Sequence, residues 1–209
     1  MPKSAPFERH TDRYEAWFEE NEAAYRTEIA ALQQLLPEPG FGLEIGVGSA
    51  RFAAPLGMRI GLDPAEEMLA RARERGVDVV RGVAEDLPFR DASFDTALLV
   101  TTICFVDDIP ETLSEARRVL RPDGSLVIGY IDKDSPVGRI YQEKQSENPF
   151  YRDAVFVSTD ELVAALEAAG FSGFEFVQTI FHWPGDIEEP DPVEEGYGEG
   201  SFVGIKATP

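Results

Sequence analysis

A doubly wound α/β fold is what this sequence predicts, and three observations carry the prediction. Short apolar runs alternate with amphipathic stretches between residues 41 and 131. Glycine or a Pro-Asp-Gly turn marks several of the junctions. The run Phe94–Thr102 is apolar at most positions, the pattern of a strand covered on both faces. Such alternation builds a parallel, helix-covered sheet with right-handed crossovers.

The elements follow in order. Between Glu8 and Leu36, Trp17, Phe18, Tyr25, Ile29, Leu32 and Leu36 recur at near-helical spacing among Glu and Arg, which predicts one or two amphipathic helices. Pro37, Pro39 and Gly40 stop them. Phe41–Val47 reads as a first strand ending in glycines, and Ser49–Leu56 as a helix capped by Ser49. Met58–Asp63 is a second strand. Pro64 suits the first turn of a helix that runs through Ala65–Arg75 to Gly76. Val77–Val83 and Phe94–Thr102 are the third and fourth strands. Ile109–Leu120 is a helix stopped by the turn Arg121-Pro122-Asp123-Gly124, and Ser125–Ile131 is a fifth strand. The segment 132–157 breaks the alternation; it is polar and aromatic, with Tyr141, Phe150 and Tyr151. Asp160–Ala169 is a further helix, and Phe174–Phe181 and Ser201–Lys206 close the pattern at seven strands. Asp186–Gly200, rich in acid, Pro and Gly, is a loop.

Composition bounds the function. The 209 residues carry 19 basic and 39 acidic side chains, a formal net charge of −20. A chain this acidic offers no basic face for nucleic acid and is repelled by an anionic membrane. Its length fits one domain, residues 1–209, and 43% hydrophobic residues support a packed core. Cys104 is the only cysteine, so neither a disulfide framework nor a cysteine-rich metal site is available. No apolar run reaches the ~18 residues of a spanning helix, and MPKSAPFERH has no apolar signal core; the expected location is the cytoplasm. Lys3, Lys133, Lys144 and Lys206 are the only lysines. Acid excess with scarce lysine fits a protein kept soluble at high salt, and equally an ordinary acidic enzyme.

Three clusters fall at the carboxyl ends of the predicted strands, where ligands bind in such sheets. The first is Leu43-Glu44-Ile45-Gly46-Val47-Gly48-Ser49. Its glycines allow a tight turn and close backbone approach to a ligand. A dinucleotide fingerprint needs a third glycine three residues later, and Arg51 stands there instead. Glu44 disfavours a pyrophosphate and suits a ligand carrying an ammonium group, or else pairs with a nearby Arg. Asp63 ends the second strand, placed either to accept both hydroxyls of a ribose or to cap the helix after Pro64. Gly82-Val83-Ala84-Glu85-Asp86-Leu87-Pro88-Phe89 forms the third cluster; backbone near Ala84 and an acidic side chain suit an adenine edge.

These pieces resemble the class I S-adenosylmethionine-dependent methyltransferases, in particular small-molecule enzymes of the ubiquinone/menaquinone type. The matching stretches are LEIGVGSARFA (43–53), GLDPAEEMLARAR (61–73), RGVAEDLPFRDASFDTAL (81–98) and EARRVLRPDGSLVIG (115–129). The resemblance implies a Rossmann-like, seven-stranded mixed sheet with the last strand antiparallel and an N-terminal helical lid. Residues 1–40 would be the lid, 41–131 the cofactor-binding core and 132–209 the acceptor side. It implies S-adenosylmethionine as cofactor. Glu44, Gly46 and Gly48 would line its methionine end, Asp63 would hold the ribose with Pro64 beside it, and Met68 would pack on the adenine. Ala84 and Glu85 would meet the adenine edge, and Val100 and Thr101 would face the sulfonium. Val83 stands where relatives often carry Asp or Asn, which shifts adenine recognition to backbone groups and Glu85. TTICFVDD (101–108) replaces a His-rich segment of many relatives.

The acceptor side is read from residues outside these motifs. Tyr14, Trp17 and Phe18 are lid candidates. Thr102, Tyr130 and His182 are candidate substrate contacts. Phe181, Trp183 and the loop EEGYGEG (194–200) would make an acidic, aromatic pocket suited to an amine. Cys104 reads as a core residue. His10 and His182 are the only histidines, and no metal site is expected. No catalytic base is assigned, because a neutral amine or a thiolate needs none. A NAD(P)-dependent oxidoreductase and a non-catalytic cofactor-binding module are the alternatives.

Overall fold

A computed structural model describes residues 3–37 and 40–209; the helix stop assigned to Pro39 lies outside them. Three helices open the chain: α1 (Ala5–Arg9), α2 (Thr11–Glu20) and α3 (Glu22–Leu35). The sequence predicts one or two. The breaks fall at His10 and Asn21, whose backbones leave the helical region.

The sheet has eight strands in the order β3-β2-β1-β4-β5-β8-β6-β7. β1 (Gly42–Ile45), β2 (Ile60–Asp63), β3 (Asp78–Arg81), β4 (Phe94–Val100) and β5 (Leu120–Ile131) are parallel. β8 (Phe202–Thr208) runs antiparallel between β5 and β6 (Ser172–Thr179). The expected mixed sheet with an antiparallel last strand is present. The eighth strand is β7 (Glu194–Glu195), a two-residue ribbon on Val177 and Gln178 inside the stretch read as a loop. Such a short edge strand, exposed and acidic, leaves no hydrophobic pattern to find.

Both faces of the sheet are buried. In β4, Ala97 and Leu99 join one core cluster while Leu98 and Val100 join the other, the alternation of a covered strand. Leu113, Ala116 and Val119 of α5 (Ile109–Val119) and Leu162 and Leu166 of α7 (Thr159–Ala168) pack on the first face. Ala31, Leu32 and Leu35 of α3 and Leu69 and Ala72 of α4 (Glu66–Glu74) pack on the second.

Two local differences from the sequence reading matter. Residues 49–56 form successive turns rather than a helix. Ala50 sits at φ +64°, which a regular helix does not permit. Segment 132–157 contains a helix, α6 (Pro136–Glu143), with Ser135 accepting from the Gly138 amide as its cap. Ser135-Pro136 is a helix-start signal that the surrounding polar sequence obscures. The turn 121–124 is accommodated as a bulge in β5, its Arg121 paired with Asp95.

After β3 the chain crosses back over β2 and β1 to place β4 beside β1. That reversal opens a crevice at the carboxyl ends of β1 and β4, where a ligand fits.

Candidate active site

The first cavity lies in this crevice. Gly46, Gly48, Asp63, Pro64, Met68, Ala84, Glu85, Val100 and Thr101 all line it. These are nine of the ten positions expected from the motifs. Gly46 and Gly48 adopt φ +75° and +51°, the left-handed region glycine enters without steric cost. Asp63 Oδ2 accepts from the Gly48 amide at 2.9 Å, and Oδ1 from the Ala65 amide at 2.8 Å. The carboxylate therefore braces the glycine loop and also the turn into α4, which begins at Glu66 with Ala65 as its cap. Burial lifts the Asp63 carboxyl to about 6, against the pull of these two amides.

Glu44 is the tenth. It is fully buried, not on the cavity wall, and its Oε2 has no hydrogen-bond partner. Burial pushes its carboxyl well up. An orphaned carboxyl oxygen at the glycine loop fits a ligand with an ammonium group, and the apolar wall of Leu62, Met68, Val83 and Ala84 fits a purine. The residues present thus fit S-adenosylmethionine. Glu85 departs from its expected role in part: its Oε1 accepts from the Asp107 and Asp108 amides at 2.6 and 3.3 Å. That oxygen anchors the β4–α5 loop.

Arg51, in the third-glycine position, is not poised for phosphate. Its guanidinium pairs with Glu15 at 2.5 Å and lies 5.2 Å over the Phe18 ring. Glu15 also holds Arg75 at 2.5 Å. This network ties α2 to the glycine loop. Glu8 of α1 accepts from the Glu66 and Glu67 amides at 3.1 and 3.0 Å, so α1 is clasped to the start of α4.

A second, larger cavity adjoins the first, about 430 Å³ against about 100 Å³. Phe7, Tyr14, Thr101 and Phe105 line both. Half of the rest of its wall is aromatic: Trp17 and Phe18 of α2, Phe52, Tyr141 of α6, Phe150, Tyr151 and Trp183. Thr101, at the junction, has φ +49°. A β-branched residue there is strained by roughly 1–3 kcal/mol, and such strain gathers at functional sites. Its amide is held by the Gly129 carbonyl at 2.7 Å.

Three expected acceptor contacts are not where the sequence reading put them. Tyr130 is buried, with its hydroxyl 2.7 Å from Thr159 Oγ1, which donates to Asp132 at 2.6 Å. It joins β5 to α7 and lines neither large cavity. His182 is exposed and paired with Asp191 at 3.1 Å. Loop 194–200 also stays away; its Tyr197 packs 5.0 Å from Phe176. Trp183 does reach the second cavity, and Tyr14, Trp17 and Phe18 line it too. Thr102 lines the first cavity, its hydroxyl turned to the Gly46 and Val100 carbonyls. Cys104 is buried and its thiol is raised to about 12, as befits a core residue. Among the described residues no cluster of His, Cys, Asp or Glu has the makings of a metal site.

The sequence reading missed Glu28. It stands on the inner face of α3 and opens onto the second cavity. A signal existed: Glu28 lies four residues after Ala24 and three and four before Ala31 and Leu32, on an otherwise apolar stripe.

Comparison with known proteins gives the family. Residues 43–128 match the family described as methyltransferase domain. A crystal structure from Thermotoga maritima is 49% identical, covers 98% of this chain and 99% of that one, and superposes with a TM-score of 0.96. It is described as a SAM-dependent methyltransferase and possible histamine N-methyltransferase. An uncharacterised protein of Methanocaldococcus jannaschii is 44% identical over 96% of this chain and 97% of its own length. The demethylmenaquinone methyltransferase of Staphylococcus carnosus is 26% identical over 62% of this chain and 64% of its own length. Dinucleotide-binding enzymes share a glycine loop and a carboxylate-ended second strand; the antiparallel β8 beside β5 and the 49% identical SAM-dependent methyltransferase place this chain instead among enzymes that take a methyl group from S-adenosylmethionine. This chain belongs to the class I S-adenosylmethionine-dependent methyltransferases, with a methyltransferase-11-type core.

Proposed function

We propose that the protein methylates a small-molecule amine held in the aromatic cavity. The observation that carries this reading is the meeting of the two cavities at Thr101, one fitted to the methyl donor and the other walled by rings. Aromatic faces attract an organic cation and shield it from water. The Thermotoga maritima relative, described as a possible histamine N-methyltransferase, supports the amine class.

In this reading Gly46 and Gly48 hold the amino-acid end of the donor, and the Glu44 carboxyl, buried behind their loop, is the counter-charge to its ammonium group. Asp63 holds the ribose with Pro64 beside it, Met68 packs on the adenine, and Ala84 and the Glu85 backbone meet its edge. Val100 and Thr101 face the reacting centre. Residues 1–40 close over the site, 41–131 bind the donor, and 132–209 shape the acceptor side, all as one domain. S-adenosylmethionine supplies a methyl group already activated by a cationic sulfur. The protein's part is placement and exclusion of water, and alignment of this kind is worth roughly 7–11 kcal/mol in favourable cases. Tyr14, Trp17 and Phe18 exclude water. The acidic surface and the single buried cysteine fit a cytoplasmic enzyme with no nucleic-acid partner.

The test is methyl transfer from labelled S-adenosylmethionine to panels of amines, phenols and thiols of similar bulk. Label is expected on nitrogen of aryl-alkyl amines. Transfer confined to phenols or thiols, or none to any small molecule, overturns the proposal.

A further inference from the structure

We propose that Glu28 is the residue that selects the acceptor: it binds the acceptor's ammonium group as its counter-charge inside the aromatic cavity. This deepens the amine reading and rests on it. Glu28 is 5% exposed, and what exposure it has opens onto the second cavity. Among the described residues its carboxyl makes no hydrogen bond and no ion pair. A buried carboxyl without a partner is costly, and native structures rarely keep one without use.

The cations nearby are already placed elsewhere. Arg13 and Lys144 are exposed at the rim, each 5.9 Å from a ring, over Phe150 and Trp183 respectively. Arg51 and Arg75 are taken by Glu15. The remaining titratable groups on the cavity are Tyr14, Tyr141 and Tyr151, held neutral by burial, and exposed Glu147 at the rim. Glu28 is thus the one buried acid on this wall, and a cationic ligand supplies its missing partner.

Burial alone lifts the Glu28 carboxyl to about 8. In the empty cavity at pH 7 it is mostly protonated. Binding an ammonium ion favours the carboxylate, so the carboxyl proton leaves to solvent as the cation enters. Where the bound ammonium must become a neutral nucleophile, its N–H proton passes to the same carboxylate. The nitrogen keeps the electron pair, and Glu28 becomes the neutral acid again. Neutral alcohols of equal shape gain none of this and are rejected.

The experiment is calorimetric titration of the protein loaded with S-adenosylhomocysteine, at pH 7, with phenethylamine, tryptamine and histamine. The matching alcohols serve as neutral controls, and Glu28→Gln is run beside the native protein. The native protein is expected to bind at least one amine about 10- to 100-fold more tightly than its alcohol and to release about one proton per amine bound, read from buffers of different ionisation enthalpy. Glu28→Gln is expected to lose both the preference and the proton release while binding S-adenosylhomocysteine normally. Equal amine binding and proton release by Glu28→Gln overturns the role of Glu28 and leaves the amine reading standing. Failure of the native protein to prefer any amine overturns both. Unchanged S-adenosylhomocysteine affinity shows that the variant is folded.

Discussion

Glu28→Gln is expected to make the empty protein more stable at alkaline pH and no more stable at pH 5. The sign follows from the direction of the shift. Burial lifts this carboxyl from the ordinary range to about 8. The neutral acid is the form the folded state tolerates. Its contribution is complete below the unfolded value and is lost as pH rises through 8. By pH 9 the native protein carries an unpaired buried carboxylate, a cost on the order of 4 kcal/mol. The amide variant keeps a buried polar group but no charge. Its melting temperature at pH 9 is therefore expected to exceed that of the native protein by roughly 8–16 °C, with the two converging at pH 5. Parallel melting curves from pH 5 to 9 would show that Glu28 is not isolated.

Gly46→Ala is expected to abolish donor-site binding. A β-carbon there would lie 2.3 Å from Thr102 Oγ1 and 2.4 Å from its Cγ2, on a residue with φ +75°. Thr102 must then swing from its bonds to the Gly46 and Val100 carbonyls, and the glycine loop moves with it. Gly57 gives an internal control, with the same φ of +75° and open space around it. Gly57→Ala carries the backbone strain alone. Affinity for S-adenosylhomocysteine is expected to fall about 100-fold or more in Gly46→Ala and to stay within about twofold in Gly57→Ala. Similar losses in both would mean that strain, and not the Thr102 contact, governs the loop.

The donor side was legible in the sequence because it depends on local order. Glycine spacing, a strand-ending Asp63 and a buried β4 all act within a few residues of themselves, and all appear as expected. The acceptor side was legible only in part, because it is assembled from distant segments. Tyr141, Tyr151 and Trp183 meet Trp17 and Phe18 through tertiary packing alone. His182 and loop 194–200 look functional by composition, yet Asp191 and Phe176 hold them outside the cavity. Tyr130 falls on the covered side of β5, where its hydroxyl is needed to satisfy Thr159. Glu28 was visible as one acid on an apolar helix stripe, but only the cavity shows why it is there.

Titration of the purified protein with S-adenosylhomocysteine, beside Asp63→Ala and a NADH control, tests the central claim most directly. Micromolar binding by the native protein is expected, weakening below about pH 6 as Asp63 takes up its proton. Asp63→Ala should lose it, since both the ribose site and the Gly48 brace depend on that carboxylate. Binding of NADH in place of S-adenosylhomocysteine, or undiminished binding by folded Asp63→Ala, would contradict the account of this site.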